Sequence, residues 1–202
     1  MNEPRHLIDI SQPINRTTAC PPGDTPFAYS LDASSGHYTV SAFTMSPHIG
    51  THTDAPAHVE KNSALVGGLP LSPFIGPCLV LDLCPFSREI HVSDIEKKLL
   101  DVPRILFRTR LDVSEEGNAS LSPEVIHFLH KKGVKLIGID TQSVDPVDSK
   151  TLKVHHTLIS CCMMWLENLD LSQAKEGVYF LSALPLKFME LEASPVRAVL
   201  LS

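Results

Sequence analysis

Short apolar runs and stretches of helical periodicity alternate through the second half of the chain. Residues 78–83 (CLVLDL), 104–109 (RILFRT) and 134–139 (VKLIGI) read as strands, and the last is apolar enough to be buried on both faces. Ser93 predicts the cap of a helix whose apolar face holds Ile95, Leu99 and Leu100. Ser122, Pro123 and Glu124 place a capping hydroxyl, a first-turn proline and an acid at the positive end of a second helix. That helix carries Val125, Ile126 and Leu129 and stops at Gly133. A third helix is predicted over residues 149–160, with strands near residues 163–166, 178–184 and 196–200.

The first 60 residues differ. They are rich in Pro, Ser, Thr and Gly, and only residues 7–10 and 38–45 read as strands by alternation and β-branched content. The order strand, helix, strand predicts an α/β fold with an all-strand N-terminal portion joined to it. No repeat, low-complexity tract or long linker divides the chain, so residues 1–202 are expected to form one domain.

Composition narrows the function classes. A net charge of −6, with 17 dispersed Lys and Arg, argues against a nucleic-acid backbone binder. No apolar run reaches the length of about 18 residues that a membrane helix needs. The start, Met1 to His6, lacks an apolar signal core, so the expected location is the cytoplasm. Five cysteines (Cys20, Cys78, Cys84, Cys161, Cys162) without a CxxC are expected to be reduced and mostly buried. Ten histidines are the unusual count, and histidine is the commonest metal ligand and the readiest proton carrier near neutral pH.

Three of those histidines, His48, His52 and His58, fall within eleven residues, together with Asp54. This is a donor set suited to zinc, manganese or a similar divalent ion. His48, His52, Asp54 and His58 share parity, so one continuous strand would place them on one face. At a rise of about 3.3 Å per residue, however, His48 and His52 would then stand about 13 Å apart, too far to share an ion. The segment must turn, and Gly50 and Pro56 are the residues that permit it. The alternative is a loop whose imidazoles only satisfy buried backbone groups.

A second group lies further along. His155 and His156 fall on the predicted third helix, and Glu167 follows across a turn and a strand. Helical neighbours diverge by about 100°, so one of the two histidines at most is expected to face a site. Spacing does not choose between them, and both could be surface residues. Cys161 and Cys162 read as core, because an apolar strand continues directly after them.

The run H-x-G-T-H-x-D-x-P-x-H at residues 48–58 resembles the signature of the bacterial kynurenine formamidases (arylformamidases), members of the cyclase-like metal-dependent amidohydrolase family. The resemblance extends over nearly the whole chain, through residues 8–13 (IDISQP), 22–27 (PGDTPF), 138–146 (GIDTQSVDP), 149–152 (SKTL), 183–187 (ALPLK) and 194–199 (SPVRAV). It implies a swivelling β/β/α fold with a mixed sheet, usually assembled as homodimers or larger homo-oligomers.

The resemblance also implies two divalent metal ions per chain, zinc with manganese as the alternative. His48, His52 and Asp54 would hold the first, Asp54 would bridge to the second, and His155 and Glu167 would complete it. This chooses His155 over His156. His58 would be the catalytic acid/base. The implied reaction is hydrolysis of the small molecule N-formyl-L-kynurenine to L-kynurenine and formate in tryptophan degradation. A metal ion would lower the pKa of its water towards about 7, supplying hydroxide to attack the formyl carbonyl. The family commonly reads Trp-Pro-Gly-Asp, its tryptophan lining the pocket, whereas Pro21 takes the tryptophan's place here. That departure keeps two alternatives: a related enzyme acting on a different formamide, cyclic amide or lactam, and a metal-stabilised binding protein without turnover. The remaining histidines, His6, His37, His91, His127 and His130, are expected on the surface or in packing roles.

Overall fold

The structure, a computed structural model, describes residues 6–32, 38–112 and 118–202. Its elements follow in chain order as β1 (Leu7–Asp9), β2 (Ala28–Asp32), β3 (Val40–Thr44), β4 (His52–Asp54), β5 (Ile75–Asp82), β6 (Glu89–Ile90), α1 (Val92–Ile95) and β7 (Arg104–Arg108). Then come β8 (Ser120–Leu121), α2 (Pro123–Lys131), β9 (Leu136–Ile139), α3 (Lys153–Ser160), β10 (Met164–Leu166), β11 (Gly177–Ser182), β12 (Ala193–Pro195) and β13 (Val199–Leu201).

Seven strands form one mixed sheet in the order β1-β13-β11-β5-β7-β9-β10. From β5 to β10 the pairing is parallel, and from β5 to β1 it is antiparallel. Alternation along the parallel strands divides the core into two layers. Leu79, Leu81, Ile105, Phe107, Ile137, Ile139 and Trp165 face one layer, shared with α2 and α3. Cys78, Val80, Leu106, Leu136 and Leu166 face the other, where Ile10, Phe74 and Leu169 complete the packing. Residues 136–139 are buried throughout, as the apolar run predicted. Among the described residues no helix is long and apolar enough to cross a membrane.

Several boundaries differ from the sequence reading. α1 starts after His91 and not after Ser93, because Asp94 accepts the His91 amide at 2.8 Å and is itself held by Arg88 at 2.7 Å. It lasts a single turn, leaving Leu100 exposed. α2 matches its expectation, with Ser122 Oγ accepting the Val125 amide at 3.3 Å. α3 begins at Lys153 and not at residue 149, because Leu152 has left-handed dihedrals that interrupt a helix.

The N-terminal part is built of strands, β1 to β4, and joins the rest of the fold as expected. β1 closes the edge of the main sheet against β13, and β4 pairs with β12. Only β2 and β3 stand apart, as a hairpin exposing Tyr29, Leu31, Val40 and Phe43. Of the cysteines, Cys78 and Cys161 are buried, Cys20 and Cys84 are half-buried, and Cys162 is exposed; all five are free thiols. Burial is therefore less general than expected, and Cys162 is not a core residue. His37 lies outside the described residues.

Candidate metal centre

β4 lies between β12 and the chain leaving β10. Its backbone exchanges hydrogen bonds with Glu167: the His52 amide donates to the Glu167 carbonyl at 3.2 Å and the Glu167 amide returns to His52 at 3.0 Å. Thr53 Oγ1 donates to the Trp165 carbonyl at 2.6 Å. These bonds set Glu167 opposite His52, although sequence separates them widely.

His52 and Asp54 share a face of β4, and turns on either side return His48 and His58 to that face. Gly50 makes the first turn at φ +70°, where a Cβ would also lie 2.8 Å from Ile14 Cγ1. Pro56 opens a single 3-10 turn, Pro56–His58. As a result the His48 ring centroid lies 5.1 Å from that of His52 and 4.4 Å from that of His58. The two residues expected to turn the segment do so.

Six side chains converge. His48 Nδ1 is 3.0 Å from Asp54 Oδ1, and His52 Nε2 is 3.5 Å from the same oxygen and 3.2 Å from Glu167 Oε2. His155 Nε2, from α3, is 3.5 Å from both Asp54 Oδ2 and Glu167 Oε1. The ligand atoms of His48, Asp54 and His58 lie within 4.8 Å of one another, as do those of His52, Asp54 and Glu167. Asp54 belongs to both groups.

Three of the four imidazoles, those of His48, His52 and His155, have an outer oxygen that decides which nitrogen faces inward. His52 Nδ1 meets the Gly50 carbonyl at 3.0 Å, His155 Nδ1 meets Asp145 Oδ2 at 2.6 Å, and His48 Nε2 meets Glu192 Oε1 at 3.3 Å. A proton on each outer nitrogen leaves an inward lone pair, the arrangement that orients metal-binding histidines. Asp54 Oδ1 is buried and receives no hydrogen bond, despite two imidazole nitrogens within 3.5 Å. A buried carboxylate oxygen faced by imidazole nitrogens, which become lone-pair donors once a cation displaces their protons, suits a divalent ion, so the residues present fit a metal centre.

Electrostatics agree with a site that exchanges protons for cations. Burial alone would lower His52 and His155, but Asp54 and Glu167, with Asp145 for His155, outweigh it and raise them to about 9 and about 10. His48 is raised in the same way by Asp54. Asp54 is held well below the usual carboxylate range: burial raises it, and the surrounding imidazoles overcome that. His58 is lowered by partial desolvation at the rim and by repulsion from His48 and His155.

The cluster opens into a cavity of 510 Å3 that Pro21, Asp24, Gln142, Ser143 and Leu152 help to line. Pro21 is thus one of the residues that line the site. His155 is buried, whereas His156 is exposed and meets Glu60 Oε1 at 3.5 Å. His6, His91, His127 and His130 are exposed and outside the cluster.

Three residues that support the ligands have no such role legible in the sequence. Trp165 Nε1 donates to Asp54 Oδ2 at 3.2 Å and stacks edge-on against His155 at 5.4 Å. Asp145 and Glu192 act on His155 and His48 through long-range contacts. Asp145 stands within the matching GIDTQSVDP stretch, but Glu192 carries no sequence signal.

Comparison with known proteins fits this geometry. The Cyclase family model, described as "Putative cyclase", matches residues 8–146. A kynurenine formamidase of Paracidovorax citrulli (strain AAC00-1) is 42% identical over 213 residues, covering 99% of this chain and 98% of that protein. One from Bacillus cytotoxicus is 41% identical over 205 residues, covering 96% of each. A solved structure described as a potential metal-dependent hydrolase with cyclase activity superposes with a TM-score of 0.84 at 26% identity, covering 97% of both chains. The family match takes in His48 to His58, and the full-length relatives extend it past His155 and Glu167, so the chain belongs to the cyclase family.

Proposed function

We propose that this chain, as a single domain over residues 1–202, is a metal-dependent amidohydrolase that cleaves N-formyl-L-kynurenine to L-kynurenine and formate. The observation that carries the reading is the buried Asp54, shared by two groups of converging ligand atoms, those of His48, Asp54 and His58 and those of His52, Asp54 and Glu167, beside a cavity that these histidines and Glu167 line. The kynurenine formamidases at 41% and 42% identity supply the substrate.

His48, His52 and Asp54 would hold one ion and Asp54, His155 and Glu167 the second, with zinc the first candidate and manganese the next. Bound there, such ions would polarise the formyl carbonyl and make hydroxide available near neutral pH. The outer oxygens of Gly50, Asp145 and Glu192 keep the ligand nitrogens aimed inward during turnover. His58 rests neutral because its pKa is lowered. It therefore accepts the proton released by the attacking water and delivers it to the aryl nitrogen as the C–N bond breaks. The formyl carbon leaves as formate and the protonated nitrogen as the arylamine. We further assign the enzyme to the cytoplasm and to a homodimer or larger homo-oligomer.

Pro21 favours a second reading, a cyclase-family hydrolase acting on another formamide, cyclic amide or lactam. Protein of measured metal content should release kynurenine from N-formylkynurenine. Turnover of a lactam or other cyclic amide, with N-formylkynurenine left intact, would select the second reading. His58→Ala should keep its metal and lose about 10²- to 10⁴-fold in kcat. Loss of an ion instead would make His58 a ligand, in keeping with its grouping beside His48 and Asp54.

A further inference from the structure

Four non-glycine residues with positive φ occur among the described residues: Asn62, Leu152, Cys162 and Asn168. Asparagine tolerates this region, and Cys162 follows the C-terminal end of α3. Leu152 is the unexpected one. It stands at the N-cap of α3 with φ 42° and ψ 48°, a conformation that any side chain with a Cβ adopts at a cost.

Capping does not account for leucine at this place. An N-cap residue normally offers a side-chain oxygen, and Leu152 has none. Asp145 does that work from a neighbouring loop, accepting the amides of Val154 at 3.0 Å and His155 at 3.1 Å. Glycine or asparagine would fit the backbone with less strain. What leucine alone contributes is an apolar side chain, half-buried at the wall of the 510 Å3 cavity. The other lining residues are polar or ionisable, so among the described residues Pro21 and Leu152 supply the cavity's apolar surface.

We propose that Leu152 is a specificity-determining residue, held in a left-handed conformation so that its side chain forms the apolar wall against the aromatic ring of the leaving group. The inference rests on the amidohydrolase reading above for the identity of that ring. Strain concentrated beside a site is a recurring sign of functional placement.

The test compares Leu152→Ala with Leu152→Gly in metal-loaded protein of verified metal content. Both variants should raise KM for N-formylkynurenine about 10-fold or more, the scale of lost apolar contact in a pocket, with kcat within about twofold. Both should weaken calorimetric binding of the product kynurenine by a similar factor. Only glycine relieves the backbone, so Leu152→Gly should melt at a higher temperature than Leu152→Ala. Wild-type KM and kynurenine affinity in Leu152→Ala would overturn the wall, and a glycine variant melting no higher would overturn the stored strain. Wild-type protein that binds kynurenine without hydrolysing N-formylkynurenine would overturn the activity reading, leaving the binding comparison to decide Leu152. Wild-type protein that does neither would overturn both.

Discussion

His48, His52, Asp54 and His58 reach the centre from one eleven-residue stretch, whereas His155 and Glu167 arrive from α3 and the end of β10. The local half is shaped by backbone: a strand of three residues, a left-handed turn at Gly50 and a proline-started turn before His58. The distant half is held by hydrogen bonds across the fold. Asp145 fixes the helix start and the ring of His155 at once, and the Val144 amide donates to Glu167 Oε1 at 2.8 Å. The local half therefore depends on turn residues, and the distant half on buried polar partners. Asp54 is where they meet.

Removing that meeting point should have the largest effect. Asp54→Ala is expected to lose both ions and essentially all turnover, beyond the roughly 10- to 100-fold that an outer partner costs. Metal analysis of the purified variant checks this, and two retained ions per chain would end the bridging assignment.

His155→Ala breaks the distant half alone. It should lose one ion and most activity, while His156→Ala, altering an exposed neighbour, should remain within about twofold of wild type. Equal effects from the two would erase the distinction between buried and exposed histidine. Asp145→Asn tests the outer support of the same half. Metal affinity should fall about 10- to 100-fold, with a lower melting temperature from the weakened α3 cap. Unchanged titration calorimetry would show that the 2.6 Å contact to His155 does not orient the ring.

The smallest effect is on the pH dependence of metal-free protein. His52 and His155 titrate at about 9 and about 10 when folded, since nearby carboxylates outweigh burial, against about 6.5 when unfolded. Their raised values stabilise the folded state fully below about pH 6.5, and that contribution is lost as pH climbs through about 9 and then about 10. Chelated protein should therefore melt at progressively lower temperature over this window. Metal-loaded protein should not follow it, because metal ligation requires neutral imidazoles. A chelated melting temperature that stays level would contradict the carboxylate pairings.

Legibility followed the same division. The eleven-residue run announced a metal site, and excluding a straight strand correctly demanded turns at Gly50 and Pro56. Short β4 leaves no signal in the sequence because Gly50 and Pro56 bound it so closely that no alternation can develop. Its pairing with β12 also depends on residues far along the chain. The start of α3 differs from the sequence expectation because Ser149 offers a capping hydroxyl, while in the structure it accepts the Leu152 amide at 3.2 Å and the cap comes from Asp145. The choice of His155 over His156 needed the family resemblance, and burial then separated them physically.

The sequence by itself determined the apolar strands of the central sheet, the Ser122-capped helix and the donor set at residues 48–58. These rest on periodicity, capping chemistry and ligand type, all properties of neighbours along the chain. Only the tertiary structure decided that Glu167 stands opposite His52, that Asp145 and Glu192 turn their histidines inward, and that Leu152 walls the cavity. Those placements come from strand register and from hydrogen bonds between distant segments, and such partners are selected by folding rather than by any local pattern.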